Sequence, residues 1–395
     1  MRTSLKLLVA GLGFFAFLLS LSAFAQSWTQ TSAPIKFWSS IASSMDGSKL
    51  VAVVYDGSIY TSTNSGVTWT QSANIPTTFW SSVASSTNGT KLVAAVSRVF
   101  NGGIYTSTDS GVTWTSNNIV NTGWDSVATS ADGSKFIAVA NTGLIYTSTN
   151  LGTTWKSNDV PNYAWMSTAS SADGSKLVAL AYNGEIYIST NSGDGWVMNS
   201  IPFSGFNSIA LSADGGKLVA AGYYLDSLGV DGRIYISTNA GIIWLQATNA
   251  PNGFWSSVAC SADGNKLVVL DDGGLIYTSN DSGATWIANN VPVAQWTAVA
   301  SSADGKKLVA VVSNGANGGG IYTTIPMLSI MLSNNNVVLT WPSTSVSVGY
   351  GLQQNADLTT MNWTDVGLPV TDDGTNKSVT IPTPAWNLFF RLLHP

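Results

Sequence analysis

One cysteine and one histidine in 395 residues leave little reactive chemistry to place. Cys260 has no partner, so an internal disulfide is excluded even for an oxidising destination. It stands where other copies of the repeat described below carry Ser43, Thr129 or Leu211, and so reads as a packing residue. His394, two residues from the end, rules out a Ser-His-Asp or Cys-His system, and a histidine-based metal site, in the body of the chain. Charge is scarce too, at 9% of residues with a formal net charge of −5. Lys49, Lys91, Lys135, Lys176, Lys217, Lys266 and Lys307 share one repeat position, so they are dispersed and form no basic stripe for nucleic acid. After the first 25 residues no apolar run approaches the roughly 20 needed to cross a bilayer, and no membrane span, metal or cofactor is expected.

What is present begins with MRTSLKLLVAGLGFFAFLLSLSAFAQ: Arg2 and Lys6, an apolar run, then the small-residue site Ala23-Phe24-Ala25. This order describes a secretory signal over residues 1–25, cleaved before Gln26, and predicts a secreted or cell-surface bacterial protein that acts as a monomer.

The rest is dominated by self-similarity. A unit beginning at Trp38, WSSIASSMDGSKLVAVVYDGSIYTSTNSGVTW, restarts at Trp80, Trp124, Trp165, Phe206, Trp255 and Trp296, a mean spacing of about 43 residues. Within it, four runs rich in Val, Ile, Tyr, Thr and Trp alternate with Gly, Asn and Asp turns and read as four antiparallel strands, A to D. A lone sheet of this kind leaves both apolar faces wet, whereas stacking copies around an axis covers them. The predicted fold is all-β: a seven-bladed propeller over residues 26–324 and a small β-sandwich over 327–395. The seventh copy stops after Ile321-Tyr322, without strand D, and SWTQTSAPIKFW from Ser27 parallels TWTQSANIPTTFW from Thr68. Residues 26–35 are therefore expected to complete the last blade and remove two open sheet edges.

The octamer STNSGVTW at Ser62 has copies at Ser107, Ser148, Ser189, Ser237 and Ser279. It resembles the Asp-box, or BNR, repeat of sialidase-like propellers. That resemblance implies a turn between strands C and D in which an acidic side chain caps backbone amides over a packed aromatic. Asn or Asp at 64, 109, 150, 191, 239 and 281 suits local hydrogen bonding, and Gly66 and its equivalents supply positive φ. Four of these six residues are Asn, so the box works here as a staple without a carboxylate. The Asp-Gly turns at Asp46, Asp132, Asp173, Asp214, Asp263 and Asp304, with Asn88 as seventh member, join strands A and B.

Variation is confined to the opposite end of the sheets. From the repeat Lys to the Ile of the Ile-Tyr pair there are 10 residues in copies 1, 3, 4 and 6, but 13, 17 and 14 in copies 2, 5 and 7. Loops on a rigid scaffold carry recognition, which singles out Ser97 to Gly103, Gly222 to Gly232 and Ser313 to Gly320. The middle one, GYYLDSLGVDG, offers Tyr223, Tyr224, Asp226 and Asp231 beside Arg233. Trp38, Trp80, Trp124, Trp165, Trp255 and Trp296, with Phe206, start the inner strands at this end. They either form a ring that stacks a sugar or peptide, or wedge between blades.

Sialidases of the resembled family use three arginines and a Tyr and Glu pair; here the repeats hold only Arg98, Arg233 and Glu185, so that clamp cannot be assembled. An aspartate pair, as in xyloglucanase-like relatives, would have Asp125 as its one candidate catalytic residue. Such chemistry needs two carboxyls roughly 5 to 9.5 Å apart, and the candidate partners on the same face are Asp56, Asp226, Asp231, Asp271 and Asp272. A second resemblance, to photosystem assembly factors of the Hcf136 and Ycf48 type, shares the box and the number of copies but lacks their arginine-rich patch. The segment after Pro326 resembles fibronectin type III modules and a C-terminal module of exported Verrucomicrobia and Planctomycetes proteins ending in FFRL, as at Phe389 to Leu392. The function expected is a binding or scaffold module for extracellular polysaccharide or protein. Glycoside hydrolysis and an assembly role are the alternatives.

Overall fold

A computed structural model describes residues 7–9, 26, 28–97, 102–117, 119, 123–227, 229–314, 319–324, 329–333, 336–342, 351–356, 362–372, 376–382 and 388–393. Among them the regular structure is all β, with no helix. The chain divides into two compact units, Ala23–Thr324 and a second made of Met1–Ser22 with Ile325–Pro395.

In the larger unit every sequence copy forms strands A to D in order. Copy 1 has Trp38–Ser43, Leu50–Val54, Ile59–Ser62 and Thr70–Gln71, each paired antiparallel with the next. Copy 7 has Ala294–Ser301, Leu308–Asn314 and Ile321–Thr324, and its fourth strand is Trp28–Gln30, with Trp28 opposite Thr324 and Gln30 opposite Tyr322. Copies 3 and 4, and copies 6 and 7, also pair through the ends of their inner strands, Asn141 with Ala164 and Asp272 with Gln295.

Strand B is buried along its whole length in copies 1, 2 and 4, the pattern of a strand covered on both faces. Each apolar cluster draws on two consecutive copies. Trp80, Val83, Leu92 and Ala94 pack with Val51, Val53 and Ile59, and Trp38, Ile41 and Ala52 pack with Val309, Val311 and Ile321 across the chain ends.

Strand A carries an irregularity the sequence reading missed. In all seven copies the register slips between the leading aromatic and the residue two further on, as between Trp38 and Ser40, so the intervening residue is bulged. The bulge places Trp38 and Ile41, three apart, in one cluster. It also aims the two small polar residues after the aromatic at the next copy. Ser39, Asn207, Ser256 and Thr297 donate to the carbonyls of Trp80, Trp255, Trp296 and Trp38. Ser40, Ser82, Ser126, Ser167, Ser208 and Ser257 accept from the backbone N–H of Val83, Val127, Thr168, Ile209, Val258 and Val299. Strand A is the inner edge of its sheet, and these side chains satisfy backbone groups that a sheet edge leaves open.

At the A–B turns a backbone circuit runs around the whole unit. Met45 N donates to Thr87 O, Thr87 to Ala131, Ala131 to Ala172, Ala172 to Ala213, Ala213 to Ala262, Ala262 to Ala303, and Ala303 back to Met45, all at 2.7–2.8 Å. Each turn is also closed internally. The Ser44 hydroxyl donates to Asp46 at 2.6 Å and accepts from Lys49 N at 2.9 Å. The lysine stems reach across the seam, with Lys91, Lys135, Lys176 and Lys266 donating to the carbonyls of Asp132, Asp173, Asp214 and Asp304. The dispersed lysines are thus a structural fastening.

The octamer is a self-contained turn. The Ser62 hydroxyl donates to Asn64 Oδ1 at 3.0 Å and accepts from Gly66 N at 2.9 Å, while Asn64 Oδ1 also takes Thr68 N at 2.9 Å. Positive φ falls on two consecutive residues: Gly66 at 87°, as expected, and Ser65 at 57°, a position filled elsewhere by Ser, Leu or Ala. Where the box carries threonine, its hydroxyl suits either Asn or Asp. It accepts from Asn64 Nδ2 at 2.9 Å in the first box and donates to Asp109 Oδ2 at 2.5 Å in the second.

In the smaller unit, Ser329–Ser333, Asn336–Pro342, Asn376–Pro382 and Thr371–Asp372 form one antiparallel sheet. Gly351–Asn355, Thr364–Asp365 and Leu388–Leu393 form another, to which Leu7–Val9 adds on the outer side of Leu388–Leu393. Both sheets feed one cluster of Val337, Leu339, Trp341, Leu352, Val379, Ile381 and Phe390.

Candidate functional site

The ligand-contact role considered for Trp38, Trp80, Trp124, Trp165, Trp255 and Trp296 does not fit their placement, for each is 0% exposed. Each ring lies between its own sheet and the preceding one. It meets the tyrosine of its own Ile-Tyr pair edge-on at 5.2 to 5.6 Å, as with Trp80 and Tyr105 at 5.2 Å. The wedge alternative describes them, because a large apolar ring gains more from the seam than from a wet surface.

The indole N–H groups expose a link with loop length. Trp80, Trp165 and Trp296 donate to the carbonyls of Gly57, Gly143 and Gly274, in the short B–C turns of copies 1, 3 and 6. Trp38, Trp124 and Trp255 follow the longer connections of copies 7, 2 and 5, and their Nε1 atoms are buried with no hydrogen-bond partner among the described residues. The glycine carbonyl that serves the indole after a short turn is thus not matched, among the described residues, after a long one.

The residues that do face solvent at this end flank the buried ring on each side. Phe37, immediately before Trp38, is 58% exposed, and Tyr55, immediately after strand B of the same copy, is 46% exposed. Their backbones are joined, Tyr55 N to Phe37 O at 2.8 Å. The same two positions hold Phe79 in copy 2, Tyr182 in copy 4, Tyr223 in copy 5 and Phe254 in copy 6. Tyr55 stacks edge-on with Phe79 and Tyr223 with Phe254, both at 5.1 Å, so neighbouring copies present joined rings. Sequence reasoning passed over Phe37, Phe79 and Phe254 because the conspicuous residue was the Trp beside each. The available signal was that the preceding position holds Phe in three copies and Gly, Ala or Gln in the others.

The stretch Gly222 to Gly232 was expected as an open recognition loop. It is instead a continuous hairpin, Leu218–Asp226 paired with Gly229–Ser237 out to Asp226 opposite Gly229. It leans on copy 6, where Gly232 N donates to Asn252 Oδ1 at 2.6 Å and Asn252 Nδ2 to Val230 O at 2.6 Å. A Cβ on Gly232 would fall 1.9 Å from Gly253 O, so this approach requires glycine. Tyr224, at 45%, is exposed near the tip. Arg233 is bound to Asp231 by contacts of 2.7 to 3.0 Å and lies 5.1 Å over the Phe203 ring, which holds its guanidinium charged and the Asp231 carboxyl below its usual range. The pair lies within one strand of the hairpin, and the arginine reaches from it to Phe203. The side chain of Asp226, Arg98 and most of its loop, the tip of the copy 7 loop, and His394 lie outside the described residues.

Asp125 occupies the bulge position, where Ser39, Asn207, Ser256 and Thr297 donate to the next aromatic's carbonyl. Asp271 takes Phe254 N at 2.7 Å; burial, opposed by that bond and assisted by the charge of Asp272, raises its pKa. Asp272 is raised by burial alone. Asp56 is exposed beside Tyr55. Cys260 sits in the copy 6 seam, where burial pushes its thiol up to about 12, a poor nucleophile. Among the described residues no group of three or more His, Cys, Asp or Glu is placed to hold a metal, and no helix is long and apolar enough to cross a membrane.

No family model matches the chain, and no curated protein sequence does. Solved structures do. YCF48 from Cyanidioschyzon merolae superposes with a TM-score of 0.57 at 16% identity, over 75% of this chain and 98% of that one. The xyloglucanase of glycoside hydrolase family 74 from Xanthomonas campestris gives 0.57 at 14%, over 80% of this chain and 59% of the enzyme. The WD40 repeats of RRP9 give 0.63 at 10%, over 76% and 98%. At such identities the likeness shows architecture alone: the repeat unit of this chain is a β-propeller.

Proposed function

We propose that the chain is an exported seven-bladed Asp-box propeller, released by cleavage after Ala25 and closed by its own first strand, with a fibronectin-III-like sandwich at its C-terminus. It works as a monomeric binding module for extracellular polysaccharide or protein, through the end of the sheets where the D–A and B–C connections lie. The seven-member backbone circuit and the pairing of Trp28–Gln30 with Ile321–Thr324 support the closed seven-copy reading. The observation that carries the binding reading is exposed Phe37 and Tyr55, joined through their backbones, with Tyr55 packed on Phe79, and the pairing of Tyr223 with Phe254 near exposed Tyr224, at the one end where connections differ in length. Fixed flat rings stack on sugar faces or peptide side chains at little entropic cost, and a protein has no packing reason to leave them wet.

The test is a glycan array and a peptide array probed with the full chain, alongside a reducing-end assay on a polysaccharide panel. Binding that falls tenfold or more in Phe37→Ala and Tyr55→Ala, with unchanged thermal midpoint, supports the reading. Turnover that vanishes in Asp125→Asn with ligand retained would replace it by the hydrolase. A structural neighbour, YCF48, has been solved bound to the D1 peptide, which favours including the peptide arm from the outset.

A further inference from the structure

The chain just before the closing strand is tied to copy 6 at Gln26. Gln26 N donates to Asn289 Oδ1 at 2.7 Å. Asn289 is 2% exposed, and its amide nitrogen is spent on Ile276 O at 3.0 Å and Thr278 Oγ1 at 3.2 Å. Its orientation is therefore fixed, and it offers Gln26 an acceptor only. The recess that Gln26 helps to line also holds Lys266, Leu267, Thr278, Asn280 and Ser301, with one cation and no carboxylate among its lining residues. The side-chain oxygen of Gln26 is itself buried.

If export cleaves before Gln26, a free α-ammonium would bring three donors and a positive charge to this place. One donor has Asn289, and no carboxylate stands among the residues that line the recess to take the others. A glutamine at a chain start has a neutral alternative. Its α-amine nitrogen attacks its own side-chain amide carbon, the new C–N bond forms, the C–NH2 bond breaks, and the nitrogen leaves as ammonia with the displaced proton. The resulting five-membered lactam keeps one N–H, which matches the single acceptor that Asn289 presents.

We infer that the mature chain begins with pyroglutamate formed from Gln26, seated on Asn289 between copies 6 and 7. This rests on the export reading above. The lactam leaves no amine for an aminopeptidase at the strand that completes copy 7, and no buried charge at the closure.

The test is the intact mass and N-terminal peptide sequence of the full-length gene product recovered after export by a bacterial host. A first residue derived from Gln26 and lighter by one ammonia than free glutamine supports the proposal. A free Gln26 amine overturns it while leaving export standing, and an N-terminus at any other residue overturns both. Gln26→Ser, which cannot cyclise, keeps the amine: its thermal midpoint is expected a few degrees below wild type at pH 6, with the gap narrowing above the α-amine pKa of about 8. An equal midpoint at both pH values counts against the seat on Asn289.

Discussion

The two ends of the propeller's sheets solve the same problem differently. At the A–B turns, serine hydroxyls, turn aspartates and backbone amides close on one another, and a backbone circuit passes through every copy. At the other end, rings stand in solvent, three indole N–H groups lack acceptors among the described residues, and an arginine is paired with an aspartate two residues before it on its own strand. The first end repeats because the bonds that shape each turn join residues two to five positions apart. The second varies in connection length, and the indoles that follow its longer connections have no acceptor among the described residues. Regularity marks the fastening, and departure from it marks the surface free to acquire a ligand.

The sharpest way to break this comparison is to exchange the fates of two adjacent residues. Trp38→Ala empties a seam that is fully buried and should cost about 3–5 kcal/mol in chemical denaturation, whereas Phe37→Ala should stay within about 0.5 kcal/mol and act on binding instead. Equal costs would mean that the exposed rings are structural too. Next in size is the inner edge. Ser82→Ala strips the acceptor from Val127 N and should cost about 1–3 kcal/mol.

The seam between copies 7 and 1 tests the converse, because Ala298 stands where the other copies have serine. Ala298→Ser should restore that contact toward Ile41 N and add about 0.5–1.5 kcal/mol, read as a shift in the urea midpoint. At the bulge, Asp125→Asn supplies the amide that Asn207 uses toward Trp255 O, and stability should hold or rise by about 0.5 kcal/mol.

The smallest effect concerns acid. The hydroxyls of Ser130 and Ser261, helped by backbone amides, hold Asp132 and Asp263 at about 2. A carboxylate whose folded pKa lies below its unfolded value near 3.8 contributes stability that is complete above that value and is lost as pH falls towards 2. Asp132→Asn, which the natural Asn88 shows the turn accepts, should therefore flatten a plot of stability against pH between about 4 and 2, and lower stability at neutrality by what the carboxylate contributed there. An unchanged slope in that window would mean that the turn carboxylates are not what acid attacks.

Much of the fold was legible because it is written in short-range chemistry. The spacing of Trp38 and its copies, the Asp-Gly turns and the STNSGVTW boxes each specify a local conformation, and repetition makes them unmistakable. The candidate site was legible only in outline. Loop length located the variable end, but the six tryptophans drew attention from the phenylalanines and tyrosines beside them. The hairpin at Gly222 to Gly232 looked like a loop because its glycines signal turns equally well.

The number of copies, the turn chemistry, the dispersal of the lysines and the missing fourth strand of the last copy are properties of the sequence, since each follows from residues within a few positions of one another. Which of two adjacent aromatics is buried, which indole finds a carbonyl, and where Asn289 aims its oxygen were decided by tertiary structure. A one-residue bulge in strand A sets the facing of the side chains, and their partners come from the next copy, some 40 residues away in sequence, where no local pattern records them.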